Sequence, residues 1–212
     1  MIKYIHNLHK KYIQKKFEYS HAGQDIFAKN LIGSNGTYLE VGAYLPVKNS
    51  NTYLLESKYN WKGISIELDI NHKDAWLNDK VRKNIIYFED ALSFKYKEKL
   101  IENNLPLHIN YLSCDIDPTC NTYSALKKII EEGISFDFIS FEHDEYFRKN
   151  CTNDTNDYHA LAIDFLKKNN YKIAIDNIYP KNKPEKLFET WFINNSIIFD
   201  EIRYTEWKKL NL

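Results

Sequence analysis

Short apolar segments alternate with helical patterns from residue 37 onward, and this alternation constrains the fold more than any other feature of the sequence. The apolar segments predict seven strands at Thr37–Val41, Gly63–Leu68, Asn84–Phe88, Ile109–Asp115, Phe136–Phe141, Tyr171–Ile175 and Phe188–Ile193. The helical patterns lie at Ser50–Lys58, His72–Lys80, Tyr123–Glu132 and Asp157–Lys168. Elements in this order are typical of a mostly parallel sheet with helices on both faces.

The end of the chain closes the sheet differently. The last two predicted strands are separated by a stretch around Pro180 that is rich in lysine and asparagine and has no helical pattern. Without a crossover helix, we expect these two strands to pair antiparallel. A seven-stranded sheet with one reversed strand is the pattern of the Rossmann-like class I methyltransferases, which use S-adenosylmethionine. The sequence therefore predicts an α/β domain of this class over residues 20–212.

Residues 1–19 form a separate predicted element, an N-terminal amphipathic helix. Ile5, Leu8, Tyr12 and Ile13 fall on one face at helical spacing, and lysines occupy much of the remaining surface. One interpretation is a helix that packs on the domain with its basic face in solvent. The other is weak contact with an anionic membrane surface or an acidic partner.

Charge and cysteine content argue against several classes of protein. The 212 residues carry 29 basic and 29 acidic side chains, so no global basic field is available to bind nucleic acid. The three cysteines include no C-x-x-C pair, which argues against a disulfide framework or a zinc site. No apolar run approaches the roughly 18 residues of a membrane span, and no secretion signal is visible. We therefore expect a cytoplasmic protein, and its oligomeric state is open.

Acidic residues follow the predicted strands at the sheet edge where ligands of such folds bind. Each of the first six strands ends in at least one acid: Glu40, Glu67, Asp69, Glu89, Asp90, Asp115, Asp117, Glu142, Asp144 and Asp176. So many carboxylates at one edge of a neutral protein suit a ligand that carries positive charge and hydroxyl groups.

The first strand and its turn indicate which nucleoside would bind. Glu67, 27 residues after Glu40, is placed to accept hydrogen bonds from two ribose hydroxyls. A pyrophosphate needs a glycine-rich turn, but this turn has Gly42 alone, and Glu40 would repel it. S-Adenosylmethionine has no phosphate and carries a sulfonium and an ammonium group, so the turn suits it better. Asp90 and Ala91 are predicted to contact the adenine, although Asp90 is also a candidate helix N-cap.

Two groups near the fourth and fifth strands are candidates for catalysis. Asp115 and Asp117 alternate, so both side chains are predicted on one face, close to Glu40. His143 follows the fifth strand, and histidine ordinarily titrates near neutrality, so His143 or Asp115 is the predicted general base. The same carboxylates could hold magnesium, which is not favoured, and His143 could merely position a carboxylate.

Six motifs resemble the FkbM-type methyltransferases. They are "SHAGQDIF" (Ser20–Phe27), "YLEVGAYLPVKNSNTYLLE" (Tyr38–Glu56), "WKGISIELD" (Trp61–Asp69), "YLSCDIDP" (Tyr111–Pro118), "FDFISFEHD" (Phe136–Asp144) and "FETWFIN" (Phe188–Asn194). Together they cover, in order, nearly all of residues 20–194. The resemblance implies a Rossmann-like fold, S-adenosylmethionine as methyl donor, and O-methylation of a sugar or natural-product hydroxyl.

The strand ends and the resemblance together define the predicted site. The predicted cofactor-binding residues are Glu40, Gly42, Ala43, Asn51, Glu67, Leu68, Asp90, Ala91 and Asp115. The predicted acceptor-binding residues are Tyr44, Asp117, Glu142 and Asp144, with no metal ligand assigned. We expect the acceptor to be a sugar or sugar conjugate, such as a surface polysaccharide or a nucleotide-sugar precursor.

Two segments differ from the family pattern. The family's first turn usually reads Ala-Asn/His-Asp-Gly, where this chain has Ala43-Tyr44-Leu45-Pro46. After its fourth strand the family tends to have Asp-Ile/Val-Glu-Gly, where this chain has Asp115-Ile116-Asp117-Pro118. Two other functions therefore stay open: a non-catalytic module that binds a glycan or a protein partner, and a magnesium-dependent enzyme that uses the acidic residues.

Overall fold

The computed structural model describes residues 19–144, 156–178 and 187–198, so the predicted N-terminal helix lies outside the described residues. The strands are β1 (Thr37–Val41), β2 (Lys62–Glu67), β3 (Ile85–Phe88), β4 (His108–Cys114), β5 (Ser135–Glu142), β6 (Tyr171–Ile178) and β7 (Glu189–Asn194). The α-helices are α1 (Gln24–Ile32), α2 (Tyr53–Tyr59), α3 (Lys73–Asn78), α4 (Tyr96–Glu102), α5 (Thr119–Glu131) and α6 (Tyr158–Lys168). A 3₁₀ turn at Ile70–His72 precedes α3.

The strands form one sheet in the order β3-β2-β1-β4-β5-β7-β6. Strands β1 to β5 pair in parallel. Strand β7 runs antiparallel to both of its neighbours, β5 and β6. The prediction of a mostly parallel seven-stranded sheet with one reversed strand is therefore confirmed. Strand β1 lies between β2 and β4 and pairs with both.

Each face of the sheet carries its own apolar core. On one face α1 and α2 cover a cluster rich in aromatic rings, in which the ring centroid of Phe27 lies 4.8 Å from those of Phe138 and Trp191. On the other face α4, α5 and α6 cover aliphatic side chains such as Val41 and Ile66. None of the described helices is long and apolar enough to span a membrane.

Several elements differ from the prediction. The sequence pattern does not predict α1 or α4. Helix α4 is short and buries two residues, which is too few to produce a clear helical periodicity. Helix α5 begins at Thr119, four residues earlier than predicted, directly after Pro118, whose φ of −76° suits a helix start. Strand β4 ends at Cys114, so the prediction that Asp115 and Asp117 alternate along the strand was wrong: both lie in the loop that leads to α5.

Gly42 allows β1 and β4 to approach each other at their carboxyl ends. Its φ is +85°, a left-handed conformation, and a Cβ placed on it would lie 1.6 Å from the backbone oxygen of Asp115. A side chain at this position would have to displace backbone. The glycine after β1 is therefore required by the packing of the two strands, whatever ligand binds above them.

Replacing Gly42 by alanine should destabilise the protein much more than the same change at Gly133. Gly133 has a similar φ of +82° but open space around its Cβ position, so it reports the conformational cost alone. We expect about 1 kcal/mol for Gly133→Ala, and roughly 3 kcal/mol or more for Gly42→Ala because overpacking is added. Urea unfolding of the two variants measures this difference, and equal losses would contradict the role assigned to Gly42.

Candidate functional site

The carboxyl ends of β1, β2 and β4 are tied together where the predicted site begins. The N–H groups of Gly42 and Ala43, which follow β1, both donate to the carbonyl of Ile66 in β2 at 3.0 Å. The N–H of Asp115, which follows β4, donates to the carbonyl of Val41 at 2.9 Å. The first turn is therefore fixed to both neighbouring strands.

Glu40 lies beneath this edge and forms a buried ion pair. It is 2% exposed, and its Oε2 accepts hydrogen bonds from Arg82 Nη2 at 3.0 Å, Ser65 Oγ at 2.6 Å and Thr52 Oγ1 at 2.8 Å. Arg82 also pairs with Glu56 at 3.3 Å. Removing one partner of such a pair typically costs about 3–5 kcal/mol, because it leaves a buried charge uncompensated. Glu40 thus has a structural task, and its contact with a cofactor stays a prediction.

The turn Tyr44-Leu45-Pro46 is held from three sides. Tyr44 has a left-handed φ of 49°. Its N–H donates to Glu67 Oε2 at 2.6 Å, and its carbonyl accepts from Trp76 Nε1 at 2.9 Å. Its half-exposed ring packs edge-on against His72, with ring centroids 4.6 Å apart. Side chains from β2 and from the segment after it therefore fix a turn whose sequence lacks further glycines.

Glu67 ends β2 at the position predicted to accept ribose hydroxyls. Both of its carboxylate oxygens accept backbone hydrogen bonds, Oε2 from Tyr44 and Oε1 from Asp69 at 2.7 Å. A carboxylate has about four acceptor positions, so Glu67 keeps capacity for a ligand. Its orientation is set by the two amides rather than by solvent.

The ends of β2 and β3 also expose apolar side chains. Leu68 is 72% exposed and Leu92 is 37% exposed, and each follows one of these two neighbouring strands. Asp90 Oδ1 accepts the N–H of Leu92 at 2.9 Å within a turn. Asp90 is not the helix N-cap that the sequence left open, because α4 begins at Tyr96. Ala91 is buried. Exposed leucines beside carboxylates suit a purine ring that bears an amine.

Asn51 lies before α2 with one side-chain atom unpaired. Its Nδ2 donates to Ser113 Oγ in β4 at 3.0 Å, while its Oδ1 is buried without a hydrogen-bond partner in the part of the chain that the structure describes. The next two N–H groups, of Thr52 and Tyr53, both donate to Ser50 Oγ, at 3.3 and 3.0 Å. The start of α2 therefore offers a buried acceptor, and these two amides are already used.

Several carboxyl groups lie around Asp115. Burial of its carboxyl raises the pKa of Asp115 to about 6, against the lowering effect of a hydrogen bond with Glu142, and the charges of Asp144 and Asp117 raise it further. Burial and the charge of Asp115 hold the pKa of Glu142 well above its usual range. Glu142 is therefore the proton donor of this pair, and Asp115 the acceptor.

Glu189, at the start of β7, extends this acidic group and is absent from the predicted site. It is buried, and burial, followed by the charge of Asp115, raises its pKa to about 8. Its Oε2 accepts from Gln24 Nε2 at 2.5 Å and its Oε1 from Trp191 Nε1 at 2.9 Å. The signal in the sequence was an acid inside the apolar strand pattern of "FETWFIN".

His143 belongs to a different group of side chains. Its ring stacks on His159 with centroids 4.1 Å apart, and its Nε2 lies 3.3 Å from Thr190 Oγ1. Thr190 Oγ1 also donates to Asp176 Oδ1 at 2.7 Å. Burial, followed by the charge of His159, lowers the pKa of His143 to about 3, so the ring is neutral at physiological pH. Sequence reasoning missed His159 and Thr190, which tertiary structure brings from α6 and β7.

The structure thus divides the predicted site into two parts. Gly42, Tyr44 and Glu67 meet at the first turn, whereas Asp115 and Glu142 meet between β4 and β5. No group of three or more histidine, cysteine, aspartate or glutamate side chains among residues 19–144, 156–178 and 187–198 is arranged to hold a metal ion. The role of each residue toward a ligand stays a prediction.

Solved methyltransferase structures share this architecture. A candidate O-methyltransferase from Klebsiella pneumoniae aligns over 90% of this chain and 89% of its own, with a TM-score of 0.54 and 11% identity. A candidate rRNA methylase from Clostridium thermocellum aligns over 84% of this chain and 97% of its own, with the same TM-score and identity. A protein of the NADB-Rossmann superfamily from Streptococcus agalactiae aligns over 86% and 72%, with a TM-score of 0.50 and 14% identity. The chain has the Rossmann-like methyltransferase fold.

The comparisons with known proteins support the fold, and they identify neither a family nor an acceptor. The sequence matches no family model and no curated protein. Because these three structural neighbours are 11–14% identical and include both a candidate rRNA methylase and a candidate O-methyltransferase, they do not select an acceptor. The narrower resemblance to the FkbM-type family and the sugar acceptor gain no support from them, so both stay proposals.

The raised pKa of Glu189 predicts that wild-type stability falls as pH rises. The folded-state pKa of about 8 exceeds the ordinary 4.5, so the native state keeps a proton that the unfolded chain loses. The stability that this proton contributes is fully present below about pH 4.5 and is lost as pH rises through about 8. The slope from this one group is at most about 1.4 kcal/mol per pH unit.

Glu189→Gln should reduce that slope, because the amide does not titrate and its oxygen can still accept from Trp191. The matched control is Glu98→Gln on the exposed surface of α4, which should keep the wild-type slope. Urea unfolding at a series of pH values measures both, and an unchanged slope in Glu189→Gln would refute the buried proton.

Proposed function

We propose that this protein is an S-adenosylmethionine-dependent methyltransferase that methylates an oxygen of a sugar or sugar conjugate. One observation carries the choice of cofactor: the N–H groups of Gly42, Ala43 and Tyr44 all donate inside the protein. A pyrophosphate is held in Rossmann-like folds by free amides of this turn and of the following helix start. Here Ser50 Oγ also accepts two amides at the helix start, those of Thr52 and Tyr53.

A phosphate-free nucleoside fits the residues that remain. Glu67 would accept from ribose hydroxyls, and Leu68 and Leu92 would cover the faces of the purine. Asn51 Oδ1 is a buried acceptor without a partner among the described residues, and it would accept from the ammonium group of the cofactor's amino-acid end. The acids around Asp115 favour the positive charges at the same end.

S-Adenosylmethionine, when bound, supplies a methyl group on a positively charged sulfur. The task of the protein is to hold an acceptor hydroxyl in line with that carbon and to remove its proton as the new C–O bond forms. Asp115, with a pKa of about 6, is ionised at neutral pH and takes up a proton readily. His143 is the weaker candidate for this step, because its pKa of about 3 makes it a poor base.

The acidic surroundings favour a neutral acceptor. Asp117 and Asp144 lie around Asp115, and the charges of these three carboxylates would repel the phosphates of RNA or DNA. Hydroxyl groups of a sugar can instead donate to these carboxylates. We therefore propose a carbohydrate acceptor over a nucleic acid, in agreement with the equal numbers of acidic and basic residues.

Titration calorimetry with S-adenosylhomocysteine tests the cofactor assignment. Wild-type protein should bind, and Glu67→Ala should weaken binding by about tenfold or more, since charge-assisted hydrogen bonds contribute roughly 1.5–3 kcal/mol. Glu98→Ala on α4 serves as the control and should bind as wild type does. Failure of the wild-type protein to bind at millimolar ligand would end the proposal, and an unchanged affinity in Glu67→Ala would remove Glu67 from the site.

Mass spectrometry of candidate acceptors tests the reaction. Incubation with S-adenosylmethionine should add the mass of one methylene to a sugar or sugar conjugate. Asp115→Asn should lower the rate of this transfer by a larger factor than it weakens cofactor binding. Methylation of RNA but not of sugars would contradict the acceptor class. Cofactor binding without transfer to any acceptor would favour the non-catalytic binding module.

A further inference from the structure

Trp76 in α3 connects the first turn to the buried ion pair of the sheet. It is 5% exposed, and its Nε1 donates to the carbonyl of Tyr44 at 2.9 Å. The guanidinium of Arg82 lies 4.4 Å from the centre of its ring, and Arg82 pairs with Glu40 at 3.0 Å. A continuous path of contacts therefore runs from Glu40 in β1 through Arg82 and Trp76 to Tyr44.

Tyr44 needs support because its backbone conformation is unfavourable. A φ of 49° places it in the left-handed region, which a residue with a side chain occupies only when its surroundings impose it. The contacts that impose it come from Glu67, His72 and Trp76. Of these three residues Trp76 alone is buried, so its bond has the most fixed geometry.

We infer that Trp76 is a positioning residue of the cofactor site. By holding the Tyr44 carbonyl it supports the left-handed conformation of this residue, and this conformation relates the carbonyl to the Tyr44 N–H that donates to Glu67 Oε2 at 2.6 Å. A turn rich in glycine reaches its shape through backbone freedom, whereas here a tryptophan hydrogen bond imposes the shape. The inference rests on the proposed function, because its consequence is correct placement of Glu67 toward the nucleoside.

Trp61 provides a matched control within the same chain. It is 2% exposed, and its Nε1 donates to the carbonyl of Gly33 at 2.9 Å. It stands directly before β2, at the opposite end of that strand from Glu67. Replacing either tryptophan by phenylalanine removes one indole hydrogen bond to a backbone carbonyl and the same side-chain volume. If Trp76 served only to stabilise the fold, the two substitutions should have similar effects on ligand binding.

The test is titration calorimetry with S-adenosylhomocysteine on wild type, Trp76→Phe and Trp61→Phe. Trp76→Phe should weaken binding by roughly three- to tenfold, the loss expected for one hydrogen bond, while Trp61→Phe stays within about twofold of wild type. Equal affinities in the two variants, whether unchanged or lowered, would overturn the inference and leave the proposed function intact. No binding by wild type would overturn both.

Two further measurements use the backbone directly. Hydrogen exchange of the Tyr44 amide should be faster in Trp76→Phe than in wild type or Trp61→Phe, and an unchanged rate would contradict the inference. In a Tyr44→Gly background, Trp76→Phe should change affinity by less than about twofold, because glycine adopts positive φ without support. If Trp76→Phe weakened binding as much in the Tyr44→Gly background as in wild type, Trp76 would not act through the backbone of Tyr44, and the inference would be overturned.

Discussion

The buried pair of Glu40 and Arg82 is the interaction on which the rest of this structure depends. It joins β1 to the segment between α3 and β3, and through Ser65 and Thr52 it also fixes β2 and the start of α2. A carboxylate at the centre of a sheet is tolerated only with partners of this quality. Because the pair lies directly beneath the first turn, the position of that turn follows from it.

The first turn shows how a Rossmann-like sheet can be built without the usual glycines. One glycine, Gly42, meets the single steric requirement, which is the close approach to the backbone of Asp115. The remaining shape comes from hydrogen bonds to Glu67 and Trp76 at Tyr44. The N–H groups of Gly42, Ala43 and Tyr44, which could otherwise hold a phosphate, all donate inside the protein. In the proposed function, the turn disfavours a nucleoside that carries phosphates, because these amide donors are already used and acidic side chains lie beside them.

Much of the fold could be predicted from the sequence because strands and most helices produce local patterns of apolar residues. Apolar runs located all seven strands, and the stretch around Pro180, which lacks a helical pattern, indicated the antiparallel closure. The partners that define the site could not be found in this way. Arg82 meets Glu40 across 42 residues of chain, and Glu189 meets Gln24 across 165. Such contacts depend on tertiary packing and cannot be predicted from the pattern of neighbouring residues in the sequence.

Sequence reasoning also assigned His143 and Asp115 to one place, because both follow neighbouring strands. The structure instead turns His143 toward His159 and Thr190, and Asp115 toward Glu142. Successive residues of a strand point to opposite faces, so a shift of one residue at a strand end decides which group a side chain joins. Sequence patterns place strand ends only to within a few residues, and here that margin separates the group around Asp115 from the group around His143.

The central claim is that the edge of the sheet at the first turn binds a phosphate-free nucleoside cofactor. The chain has six glycines, so their amide signals are few and easily separated in a ¹H–¹⁵N correlation spectrum. Titration with S-adenosylhomocysteine should shift the signal of Gly42, after β1, and leave those of Gly36 and Gly133, which precede β1 and β5, in place. Shifts at Gly36 or Gly133 with none at Gly42 would contradict the account.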